Sequence, residues 1–104
     1  MIMAQGVVVG SGDQIHRWQI PVDGTWHKLT VGPVIHVGCK DDPSIVDIWT
    51  LQPKTGAGVQ ERRFIVVATG KPMPRGIYRG TVVVAGGALV WHLIERDETQ
   101  GETG

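Results

Sequence analysis

The chain has 104 residues, 41% of them hydrophobic, with ten basic and ten acidic side chains that cancel. That is room for one domain around a single core, and the balance excludes a net field drawing the protein to long nucleic acid or to an anionic membrane. Cys39 is the single cysteine, which excludes an internal disulfide framework and fits a reducing compartment.

At the N-terminus, Met1, Ile2 and Met3 lead into Val7, Val8 and Val9 with no basic residue before them. This lacks the charged region of a signal peptide, and no stretch approaches the ~20 apolar residues of a membrane helix. The expectation is a soluble protein of the cytoplasm with no membrane partner. Fifteen glycines and six prolines among many Val and Ile residues oppose long helices and favour pleated surfaces. In chain order, strands are predicted at 14–20, 25–31, 34–39, 45–51, 62–68, 77–85 and 88–94. They are separated by turn chemistry at 21–24, Gly32-Pro33, 40–43, 52–58 and Gly86-Gly87. The spacing predicts an all-β domain over residues 13–95, a meander closing into a barrel or sandwich of about six to seven strands. Residues 1–12 read as flexible or as an extra N-terminal strand. Residues 96–104, polar and without an anchoring hydrophobe, read as a disordered tail.

Gly86-Gly87 supplies the positive φ values of a two-residue hairpin turn between apolar strands. Because neither of those strands alternates with polar residues, both faces are expected to be covered, one of them by a second copy. A closed monomer covered by its own N-terminal strands is the alternative.

Catalytic signatures are weak. Ser11 and Ser44 lie outside any nucleophile elbow, and Cys39 in an apolar strand reads as an ordinary buried thiol. His36 and Cys39, three apart on a strand, point to opposite faces, and no His or Cys pair has zinc spacing, so no metal or cofactor is expected. Asp47 shares a face with Ile45 and Trp49 and reads as an edge-strand carboxylate. With His92 it is the one tempting acid–base pair. Gly70-Lys71 lacks the upstream glycine and following Ser/Thr of a P-loop.

Arg62 and Arg63 enter one strand, Lys71 and Arg75 sit on the proline-stiffened segment 69–76, and Arg79 enters the next strand. If the flanking strands are neighbours, ~5 Å apart, these cations converge on one phosphate-sized group. The competing view is that they are solvated charges. Trp18, Trp26, Trp49 and Trp91 read mainly as core with indole N–H groups at the rim, and Trp49 or Trp91 is the candidate for stacking on a base.

Gly32-Pro33-Val34-Ile35-His36-Val37, Ile48-Trp49-Thr50-Leu51, Thr69-Gly70 with Pro72 and Pro74, Tyr78-Arg79-Gly80-Thr81 and Trp91-His92-Leu93 together resemble an uncharacterised family of small phage and prophage proteins. The resemblance covers Ile15 to Glu95 and carries no catalytic residues. It implies a phage setting, where one class of accessory protein sequesters cyclic nucleotide signals of bacterial immunity without turning them over. The expected function is such a non-enzymatic sponge, a homo-oligomer binding a nucleotide-like ligand. Its expected contacts are Arg63, Lys71, Arg75 and Arg79 on phosphate, the Thr69 and Gly70 backbone, a Trp91 wall and a His92 donor. A structural or protein-binding module, as a minor virion component or an inhibitor of a host protein, is the alternative.

Overall fold

A computed structural model describes residues 7–97. Seven strands form: β1 (Gln14–Pro21), β2 (His27–Val31), β3 (Val34–Gly38), β4 (Ile45–Gln52), β5 (Gln60–Ala68), β6 (Ile77–Val84) and β7 (Leu89–Glu95), with a 3₁₀ turn at Ala85–Gly87. They make two antiparallel sheets, ordered β1-β4-β3 and β2-β5-β7-β6. The sheets face each other as a sandwich, not a closed barrel. Ile20, Val46 and Ile48 of the first meet Phe64, Val66, Val82 and Leu93 of the second in one buried cluster. Residues 7–12 carry no strand, and residues 1–6 and 98–104, including most of the expected tail, lie outside the described residues.

Sequential strands pair only at β3–β4 and β6–β7. Otherwise β1 pairs with β4, β2 with β5 and β5 with β7, so the path departs from a simple meander. The cause is visible at Gly32, where a Cβ would lie 1.8 Å from the Leu51 carbonyl oxygen. With no side chain at Gly32, the backbone passes that close and crosses from one sheet to the other instead of turning back.

β5 and β6 are each antiparallel to β7, which lies between them. They therefore run parallel to one another, and segment 69–76 has to return along the sheet. It does so over the outer face, with Gly76 close against Ile94 and Glu95. Ile65, Val67 and Ile94 are buried there in a second cluster with Trp26. For Ile65, Val67 and Ile94 the cover thus comes from within the chain, whereas Tyr78 and Val83 of β6, on the same outer face, stay exposed. The β6–β7 turn has both expected positive angles, φ 67° at Gly86 and 98° at Gly87. Its loop spans 85–88, since Val84 pairs with Leu89.

Candidate functional site

The C-terminal half of β5 borders a cavity of about 530 Å³. Its other walls are Val22 and Gly24 of the β1–β2 loop, Trp91 of β7, and the crossover from Lys71 through Met73 to Pro74. All four residues 65–68 touch the cavity. Side chains of a strand alternate between faces, so a run of four consecutive lining residues means that the strand presents its edge. That edge is open because β2 stops pairing at His27 opposite Phe64.

The loop wall is fixed by a polar clasp. Asp23 Oδ1 accepts from the Thr25 N–H at 3.0 Å and the Thr25 hydroxyl at 2.8 Å, and lies 2.8 Å from His27 Nε2. The bond from His27, followed by those from Thr25, holds the Asp23 carboxyl down to about 2. On the opposite wall the Trp91 indole N–H donates to the Pro43 carbonyl at 2.8 Å, tying β7 to the β3–β4 loop.

Of the residues expected to bind phosphate, Lys71 alone reaches this cavity, beside Trp91. Thr69 and His92 form a separate polar chain on the outer face of the sheet. Thr69 Oγ1 lies 2.7 Å from His92 Nε2, Thr81 Oγ1 lies 2.9 Å from His92 Nδ1, and the Tyr78 hydroxyl bonds Thr81. Both ring nitrogens of His92 are thereby engaged by hydroxyls. Gly70 turns the chain at φ 92°, and the turn is closed by the Lys71 N–H on the Ala68 carbonyl at 3.1 Å.

Arg63 and Arg79 lie at the other end of the sheet, and Arg75 follows Pro74 of the cavity wall without itself lining the cavity. Arg63 stands opposite Lys28, one residue before Phe64, which pairs with Glu95; Arg75 precedes the glycine packed on Glu95, and Arg79 Nε donates to Glu95 Oε1 at 2.8 Å. Arg62 Nη1 takes the other carboxylate oxygen at 3.0 Å. The expected convergence therefore fails for a topological reason. A hairpin would have set the end of β5 beside the start of β6, whereas the crossover separates them by the run of β7 from Trp91 to Glu95, about 13 Å. Glu95 is 4% exposed, and its signal in the sequence is slight, a lone carboxylate closing an apolar run.

Asp47 is not on an edge strand. It sits on β4, the centre of its sheet, 2% exposed, with Gln19 Nε2 3.5 Å from Oδ1. It points from the outer face of one sheet while His92 points from the outer face of the other, so the two do not form one acid–base site. Burial pushes the Cys39 thiol up, aided by Asp47, and its S–H donates to the Asp42 carbonyl. Among the described residues no three His, Cys, Asp or Glu side chains gather around one point, and no helix is long and apolar enough to cross a membrane.

A cavity of this size with an apolar lining, one aromatic wall and one ammonium group is suited to a ligand with a flat apolar body and an anionic substituent. A family model for a domain of unknown function, DUF7352, matches residues 11–104. No curated protein and no solved structure matches the chain.

Proposed function

The chain belongs to the DUF7352 family, a domain of unknown function, and we propose that it is a non-catalytic binding module holding a small anionic ligand in the cavity beside β5. The single observation that carries this is the placement of Lys71 and Trp91 on one apolar cavity of about 530 Å³. The walls are set in advance by the Asp23 clasp and by Pro72 and Pro74, so little ordering accompanies binding. One ammonium group supports one phosphate or carboxylate. Given the resemblance to phage proteins, the ligand class we favour is a cyclic nucleotide immune signal, sequestered in the host cytoplasm.

Calorimetric titration of the purified protein with cyclic mono- and dinucleotides tests this. Saturable binding is expected, with the nucleotide recovered unchanged after heating, and Lys71→Ala should weaken it at least about tenfold. Absence of binding across the set, or recovery of a hydrolysed product, refutes the proposal. A second proposal, a protein-binding or structural module that also joins copies of the chain, is favoured by edge strand β6, where Tyr78 is 56% and Val83 62% exposed. Sedimentation of Val83→Asp beside the native chain separates the two. A loss of assembly with nucleotide binding absent favours the second.

A further inference from the structure

The main-chain hydrogen bonds of β5 can be accounted for one by one. In an antiparallel pair, residues on a strand alternate between those that exchange bonds with the neighbour and those that point the other way. The Arg63 carbonyl accepts from the Arg96 N–H at 2.8 Å, and the Thr69 N–H donates to the Val90 carbonyl at 3.2 Å. With Ile65 opposite Ile94 and Val67 opposite His92, residues 63, 65, 67 and 69 therefore bond toward β7. Phe64, Val66 and Ala68 direct their N–H and C=O groups away from it. Phe64 meets His27 of β2, and the Ala68 carbonyl is taken by Lys71. The Val66 N–H, the Val66 C=O and the Ala68 N–H meet no backbone partner among the described residues.

These groups are not simply bathed in solvent. Val66 is 4% exposed, and both residues line the cavity. A donor and an acceptor of one residue, side by side and turned into a concave apolar space, require a partner that enters it.

Resting on the cavity as the ligand site, we infer that Val66 reads the ligand through its main chain: the ligand is a planar heterocycle bearing an acceptor next to an N–H donor, as a nucleobase does. A residue on an opposite strand would exchange two bonds with Val66, and the edge of a nucleobase supplies the same pair. The ring then lies within the apolar walls and in reach of Trp91, with its anionic substituent toward Lys71. Recognition by backbone explains how the site dispenses with a polar side chain for the heterocycle, and it requires that ligands lacking such an edge bind poorly whatever their charge.

The test uses ¹⁵N-labelled full-length protein and the tightest-binding nucleotide of the calorimetric series, beside its analogue methylated on the hydrogen-bonding edge of the base and beside ribose 5-phosphate. Methylation should cost about tenfold or more, ribose phosphate should not bind, and the nucleotide should shift and protect the Val66 and Ala68 amides more than those of Ile65 and Val67. Equal affinity for the methylated analogue, or undisturbed Val66 and Ala68 amides while Lys71→Ala still abolishes binding, overturns the inference and leaves the ligand site standing. Failure of every nucleotide to bind overturns both. Protection of the two amides by assembly of the chain alone assigns the edge to an added strand and also overturns the inference.

Discussion

Glu95 is expected to be worth more to stability than any other charged residue described. Its carboxylate, 4% exposed, bridges Arg62 and Arg79 at 3.0 and 2.8 Å, with side-chain exposures of 11% and 28% for the two guanidiniums. Arg62 also donates from Nε to the Val31 carbonyl and from Nη2 to the Gly58 carbonyl, so it cannot swing out to water without leaving those groups unmet. Glu95→Gln keeps the shape but replaces one accepting oxygen with a donor facing a guanidinium. Two charge-assisted bonds at ~1.5–3 kcal/mol each set the scale, and breaking a buried pair typically costs 3–5 kcal/mol. Partial exposure of Arg79 lowers the sum, giving about 3 kcal/mol, a large share of the ~5–15 kcal/mol that holds such a domain folded. Urea unfolding followed by tryptophan fluorescence measures it, and the midpoint temperature should fall by roughly 12 °C or more. Glu61→Gln is the control, because its 3.7 Å contact with Lys28 is exposed on both sides and should change stability by less than about 0.5 kcal/mol. A Glu95→Gln protein within about 1 kcal/mol of the native one, at unchanged urea dependence, would refute the triad's role.

Gly32→Ala, which drives a Cβ onto the Leu51 carbonyl, should cost about 3 kcal/mol or more. Gly86→Ala, where space is open and only the positive φ is strained, should cost about 1 kcal/mol, and the same urea titrations compare them. Phe64→Ala, at the centre of the fully buried cluster, should lose about 3–5 kcal/mol, visible as a collapse of the thermal transition. Asp23 should titrate at about 2 by carboxyl-carbon NMR, and His27→Ala should move it up toward 3.8, since the His27 bond is the largest cause of the depression. Because that carboxyl is depressed on folding, its stabilising contribution is complete above its ordinary value and disappears as pH falls through about 2. An Asp23 midpoint unaffected by the His27 substitution would show that the loop clasp is misassigned.

All seven strands were legible along the chain, because β-branched runs bounded by Gly, Pro and Asp turns carry their own local signal. The paired positive angles at Gly86 and Gly87 were legible for the same reason. What the sequence determined about the candidate site was its parts: Lys71, Trp91 and the stiffening prolines on one segment. Which parts meet was decided by β7 inserting between β5 and β6. That long-range pairing, which leaves no local trace in composition or spacing, turned an expected hairpin into a crossover. It carried Arg79 to the far end of the sheet and gave it to Glu95, and it left Lys71 beside the cavity. The open edge at Val66 has the same origin. β2 ends its pairing at Phe64 because its chain leaves for the Asp23 loop, and the length of one strand relative to its neighbour is fixed only when both are packed.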